Sequence, residues 1–244
     1  MAVTIIIPSL NPDEKLEQVV TGLVEAGYED IVVVNDGSDE AHKGPFERLG
    51  KLTQCTILTH KVNRGKGRAL KTAFSYVLKN RMDIAGVITV DGDNQHKVKD
   101  IKACDVLLCK KKDRVILGCR EFSGKDVPTR SKFGNKITSF IFRVACGMKI
   151  SDTQTGLRAI PYKYLNKMMK IEGERFEYET NMLLSLNKKQ IPYMERKIDT
   201  VYIEENQTSH FNPIIDSIKI YKVILKFMFS SIAASIRKLV VKGE

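Results

Sequence analysis

The feature that most constrains this chain is a repeated unit: a short uncharged run rich in Val and Ile, a polar turn, then apolar residues at helical spacing. Val3-Thr4-Ile5-Ile6-Ile7, Ile31-Val32-Val33-Val34, Thr56-Ile57-Leu58, Gly86-Val87-Ile88-Thr89-Val90 and Val115-Ile116-Leu117-Gly118 are such runs. Apolar on consecutive positions, they read as strands covered on both faces. Pro12 opens a helical pattern at its first turn, with Leu16, Val19, Val20, Leu23 and Val24 in step. Further helices are expected at 43–52, through Ala69, Leu70, Ala73, Phe74 and Val77, and at 98–109. Strands alternating with helices predict an α/β fold, a doubly wound, mostly parallel sheet with helices on both faces.

Ligands of such sheets bind in the crevice at the carboxyl ends of the strands. Here those ends carry Asn11, Asp36 with Ser38, the loop Asn63-Arg64-Gly65-Lys66-Gly67, Asp91 with Asp93, and Arg120. In Asp91-Gly92-Asp93-Asn94-Gln95-His96 two carboxylates stand one residue apart and a carboxamide follows. Oxygen donors of this kind suit a hard divalent cation, which takes one or two carboxylates and fills its other positions with water and phosphate oxygens. The same hexapeptide also reads as an Asx-rich turn with solvated acids. The glycines around Lys66 read either as a phosphate-facing loop or as a simple helix entry.

The second half is less regular. A basic stretch from 123 to 136, with Lys125, Arg130, Lys132 and Lys136, runs into a helix around 131–146. A polar turn spans 152–158, a helix starts near Phe176, residues 198–203 alternate like a strand, and Pro213 opens a last helix to about 241. The 244 residues suit one large domain at 1–211 followed by a helical extension at 212–244. Forty Lys plus Arg against 29 Asp plus Glu leave a net charge of +11, which favours phosphorylated substrates, anionic lipid headgroups or nucleic acid. Five cysteines without a C-x-x-C pair fit free thiols in a reducing cytoplasm. The N-terminus opens directly into a strand pattern, so no secretory signal is expected.

Pro8-Ser9-Leu10-Asn11, Asn35-Asp36-Gly37-Ser38, the 63–67 loop and the 91–96 hexapeptide together resemble, in order and spacing, the family 2 glycosyltransferases of the GT-A fold. Gly118-Cys119-Arg120 and Asp152-Thr153-Gln154-Thr155-Gly156-Leu157-Arg158 look most like its polyprenyl-phosphate branch, and the resemblance covers roughly residues 3–205. It implies a nucleotide-diphosphate sugar donor held by Asn11, Asp36, Ser38, Asn63, Lys66 and Asp91, with Asp36 on the base or ribose. It also implies Mg2+ or Mn2+ on Asp91, Asp93 and Gln95. The sequence departs from the family pattern at Pro12, where a Glu is usual, and at Asn35, where the first of two acids is usual.

A polyprenyl phosphate acceptor carries its own anionic oxygen and needs no general base. The resemblance assigns Arg120 and Arg130 to hold that phosphate, a task suited to a planar, bidentate fork. A hydroxyl acceptor would need a base, and Asp152, Glu177 or Glu179 are the candidates; Asp152 also reads as a cap or structural acceptor. By the same resemblance His210 would stand near the donor phosphates, and His96 beside the clamp. In the last helix Lys219, Lys222 and Lys226 form one stripe and Ile218, Tyr221, Leu225, Phe229, Ile232 and Ile236 another. That pattern suits either an anionic membrane surface or packing on the domain. The expectation is an inverting hexosyltransferase at the cytoplasmic face of a membrane. The alternatives are a transferase acting on a polysaccharide or other hydroxyl, a nucleotidyltransferase, and a nucleic-acid-binding protein. The last two are disfavoured: no basic glycine-rich loop follows the first strand, and there is no aromatic platform for bases.

Overall fold

The computed structural model describes residues 2–121, 135, 138–144 and 147–199. Seven strands form one sheet: β1 (Val3–Ser9), β2 (Ile31–Asn35), β3 (Cys55–Thr59), β4 (Gly86–Thr89), β5 (Val115–Arg120), β6 (Arg158–Pro161) and β7 (Tyr193–Ile198), in the order β3-β2-β1-β4-β6-β5-β7. All neighbours are parallel except β6, which runs antiparallel to β4 and β5. Ser9 pairs with Asn35 and Asn35 with Thr59, so β1, β2 and β3 end level. That register puts their outgoing loops at one edge.

Successive side chains on a strand face opposite ways, which is why the strand runs are uncharged throughout. Ile6, Val32, Val34 and Val87 pack under α3 (Lys66–Asn80), α6 (Leu165–Met169) and α7 (Glu177–Lys188). Ile5, Ile7, Val33 and Ile88 pack under α1 (Glu14–Glu25), α2 (Gly44–Leu49) and α4 (Val98–Lys110). The segment 138–144 is a further helix, α5, which contributes Phe142 to the first core. Cys55, Cys104, Cys109 and Cys119 form no disulfide among the described residues, and burial pushes the Cys104 and Cys119 thiols up to about 12.

Three elements differ from expectation. Asp13, not Pro12, starts α1: its side chain accepts from the Lys15 amide at 2.9 Å as the N-cap, and Pro12 stands outside the helix. The last strand among the described residues, Tyr193–Ile198, was not expected there, while of the strand expected at 198–203 residues 200–203 fall outside the described residues. Tyr193–Ile198 is an edge strand carrying Glu195, Arg196 and Lys197, so it lacks the uncharged run of a central strand. Residues 158–161, taken partly as a turn, form the antiparallel strand β6 in the middle of the sheet. Arg130, His210, the last helix and the division at 211/212 lie outside the described residues. No helix among the described residues is long and apolar enough to cross a membrane.

Candidate active site

The carboxyl ends of β1 and β2 are stitched together. The Asp36 amide donates to the Ser9 carbonyl at 2.8 Å and the Ser38 amide to Asn35 Oδ1 at 2.9 Å. Ser38 Oγ accepts from the Asn11 amide at 2.8 Å, and Asn11 exchanges side-chain bonds with Asp39 at 3.1 and 3.0 Å. Asn11 takes a φ of 45°, a left-handed conformation that Asn tolerates. Asn35 thus accepts from the amide three residues on, a role that an amide oxygen fills as well as a carboxylate would. Asn63, at the neighbouring loop, is exposed.

Asp36 is buried, and its own chain engages both oxygens. Oδ1 accepts from the Arg64 amide at 3.0 Å and lies 2.7 Å from His60 Nδ1; Oδ2 accepts from the Gly65 amide at 2.7 Å. The carboxylate holds the loop that opens α3.

That loop delivers Lys66. A Cβ on Gly65 would come within 2.5 Å of the Glu174 carbonyl oxygen, and one on Gly67 within 2.5 Å of Tyr178 Cβ. The two glycines therefore let the start of α3 lie directly on the segment leading into α7, where the Arg68 amide donates to the Glu174 carbonyl at 2.9 Å. Lys66 Nζ then sits between two acids, 2.8 Å from Asp91 Oδ1 and 2.9 Å from Glu179 Oε2. Burial works to lower the Lys66 pKa, but Asp91 and Glu179 outweigh it and push it up. Burial likewise opposes ionisation of Asp91, yet Lys66 and His96 hold its carboxyl well below the usual range. Burial and the Asp91 charge push Asp93 up, and its Oδ1 accepts from the Gln95 amide at 3.1 Å.

On the far side, the 152–157 loop leans against the same carboxylate. A Cβ on Gly156 would fall 2.3 Å from Asp91 Oδ2, while the Gly156 carbonyl accepts from Thr89 Oγ1 at 2.7 Å. The buried Arg158 guanidinium ties this loop to α7, donating to the Thr155 carbonyl at 3.3 Å and the Glu179 carbonyl at 2.9 Å. His96 is buried with Nε2 3.3 Å from Asp91 Oδ2, and its Nδ1 has no hydrogen-bond partner among the described residues.

Among the described residues no group of three His, Cys, Asp or Glu surrounds a single metal position. The donor set does fit a divalent cation of the kind that takes two carboxylates and completes its sphere with phosphate oxygens and water. Asp91 and Asp93 are hard oxygen donors whose charges oppose each other and which share one turn with Gln95. A cation shared with a diphosphate would relieve that opposition.

Arg120, at the end of β5, is bound to Asp152. Nε donates to Oδ2 at 2.7 Å and Nη2 to Oδ1 at 3.2 Å, and Asp152 also accepts from the Arg120 and Gln154 amides at 3.2 and 3.0 Å. Of the roles open to it, Asp152 takes the structural one, being buried with both oxygens engaged. Asp152→Ala is expected to lower the urea-unfolding free energy by about 3 kcal/mol, since it leaves Arg120 and two amides without their acceptor. Glu177 Oε1 accepts from the Glu174 and Arg175 amides at 3.0 and 3.2 Å, tightening the turn before α7, while its Oε2 is buried with no hydrogen-bond partner among the described residues. The sequence reasoning missed Glu179 as the partner of Lys66, Gly156 as the cradle of Asp91, and His60. Only His60 was findable, because it directly follows a strand at the carboxyl edge.

The seven-stranded, mostly parallel sheet with its carboxylate-lined edge is a GT-A-like fold, and solved structures share it. Glucosyl-3-phosphoglycerate synthase from Mycobacterium tuberculosis, in complex with Mn2+, UDP and glucosyl-3-phosphoglycerate, matches with a TM-score of 0.67 at 12% identity, over 94% of this chain and 79% of that one. Mannosyl-3-phosphoglycerate synthase from Rubrobacter xylanophilus matches with a TM-score of 0.67 at 13% identity, over 100% and 75%. The model of the family described as Glycosyl transferase family 2 matches residues 4–184, and the chain belongs to that family. It is a nucleotide-sugar-dependent glycosyltransferase. It is 27% identical over 240 residues, 91% of this chain and 94% of the other, to the UDP-N-acetylglucosamine–dolichyl-phosphate N-acetylglucosaminyltransferase of Methanococcus voltae. An uncharacterised protein of Methanocaldococcus jannaschii is 28% identical over 230 residues, 92% of each chain.

Proposed function

We propose that this enzyme transfers a hexose, with inversion, from a nucleotide-diphosphate sugar to a polyprenyl phosphate. The convergence of Asp91, Asp93 and Lys66 at the carboxyl edge of the sheet carries the donor half of the reading. Asp91, Asp93 and Gln95 would hold Mg2+ or Mn2+, which when bound neutralises charge growing on the departing diphosphate. Lys66 adds a fixed positive charge beside it, and Glu179 keeps that ammonium aimed at the turn. Asn11, Ser38, Asp36 and Asn63 shape the nucleoside end, Asp36 by holding the 64–65 amides in place.

The acceptor half rests on the acids. Asp152 is committed to Arg120 and to backbone amides, Glu179 to Lys66, and Glu177 to two amides through Oε1. That supports an acceptor that arrives as an anion and needs no base. Its oxygen attacks the anomeric carbon as the bond to the diphosphate oxygen breaks. Arg120 and Arg130 are the proposed phosphate contacts. On α5, whose Ser139 Oγ lies 3.3 Å from the Ser151 carbonyl, Phe140 and Val144 are 64% and 67% exposed with Arg143 beside them. Such a face supports peripheral contact with an anionic membrane at its cytoplasmic side, with the 212–244 extension as a second contact. The similarity to the Methanococcus voltae enzyme favours a UDP-N-acetylhexosamine as the first donor to try.

The deciding experiment incubates the protein with UDP-N-acetylglucosamine or other UDP- and GDP-sugars, Mn2+ and short-chain polyprenyl phosphate, then analyses the products. A glycosyl phospholipid is expected. Transfer to a polysaccharide or other hydroxyl acceptor instead would replace the lipid reading.

A further inference from the structure

We propose that His60 is a positioning residue for donor binding, acting through Asp36 on the loop that carries Lys66. The inference rests on the donor reading above, but its geometry stands apart from any ligand. His60 follows β3 directly and donates its amide to the Asn35 carbonyl at 2.9 Å, extending the ladder by one bond. Its side chain is buried, with Nδ1 2.7 Å from Asp36 Oδ1 and Nε2 2.9 Å from Thr72 Oγ1 on α3.

These contacts fix the ring. An ionised carboxylate only accepts, so Nδ1 donates to Asp36, and the Thr72 hydroxyl, which can donate or accept, pairs with Nε2. His60 thereby locks the rotamer of Asp36. Asp36 in turn fixes the directions of the Arg64 and Gly65 amides, at 3.0 and 2.7 Å. Lys66 follows those amides at once, and its ammonium reaches Asp91. The chain Thr72–His60–Asp36–(64–65)–Lys66 thus runs from the body of α3 back to that helix's own entry, so the loop is pinned to the helix it starts.

Three variants separate this role from bulk packing. His60→Leu fills much of the space and removes both ring bonds. His60→Asn keeps an N–H near the Nδ1 position. Thr72→Val removes only the distal hydroxyl. Hydrogen exchange is followed at the Arg64 and Gly65 amides and, as a reference, at core amides of β1 and β2. UDP and GDP are titrated in parallel with Mn2+. In His60→Leu the two loop amides are expected to exchange at least about tenfold faster than in the wild type, with core amides shifted less, and nucleotide affinity to fall at least about tenfold. His60→Asn is expected to recover most of both effects, and Thr72→Val to lie between. Unchanged loop exchange in His60→Leu would overturn the proposal, as would uniform acceleration of every amide. Faster loop exchange with undiminished nucleotide affinity would overturn the donor role. If the wild type binds neither nucleotide, the donor reading itself fails, and the donor role of His60 fails with it, while the exchange data still decide whether His60 pins the loop.

Discussion

Asp91→Asn is expected to lower turnover of a nucleotide sugar by at least about 1,000-fold, the scale set by removing a preorganised charge contact from a developing anion. The substitution is isosteric, and Lys66 keeps Glu179 at 2.9 Å, so unfolding free energy should fall by no more than about 2 kcal/mol. The specific readout is nucleotide affinity measured with and without Mn2+. In the variant the Mn2+-dependent gain disappears and the metal-free affinity remains. A variant that retains the full gain would remove Asp91 from the clamp. The pH dependence has a definite sign. The lowered pKa of Asp91 means that its contribution to stability is present above the ordinary carboxyl range and is lost as pH falls through the lowered value. The raised pKa of Lys66 means that its contribution is present below the ordinary lysine range and is lost as pH rises through the raised value. The pair therefore adds no slope to stability between those ranges, which urea melts at neutral and mildly acid or alkaline pH would check.

Gly156→Ala should be nearly as damaging to activity, at a similarly limited cost to the fold. The new methyl would lie 2.3 and 2.5 Å from the two Asp91 oxygens, too close for either to stay. What yields is the Asp91 carboxylate rather than backbone, so the cost to stability is limited to its contacts with Lys66 and His96, and the backbone of Gly156 lies outside the left-handed region. On the proposed donor reading, a misplaced carboxylate misplaces the diphosphate. Turnover should drop about 100-fold, in line with the effect of ångström-scale displacement on a reacting geometry. Thermal unfolding should shift by only a few degrees. Full activity in Gly156→Ala would mean that the position of Asp91 seen here is not the working one.

Much of this could be read in the chain before folding. The central strands are legible because burial on both faces demands consecutive apolar residues, as in Ile5-Ile6-Ile7 and Val32-Val33-Val34. The candidate ligands are legible because parallel strands send every outgoing loop to the same edge. Strand β7 was not anticipated because an edge strand can carry Glu195, Arg196 and Lys197 without penalty. Strand β6 was missed because a buried arginine opens it, and Arg158 is tolerated there only through carbonyls supplied by Thr155 and Glu179.

The sequence by itself determined the class of fold, the edge at which the chemistry gathers and the residue types that gather there, since hydrophobic periodicity and strand direction are local properties. Only the tertiary structure decided which acid faces which cation. Lys66 meets Asp91 and Glu179 across separations of 25 and 113 residues, Arg120 meets Asp152, and Gly156 closes on Asp91. Such pairings depend on register, helix placement and the space left where a side chain is absent, and these exist only once distant segments have packed against one another.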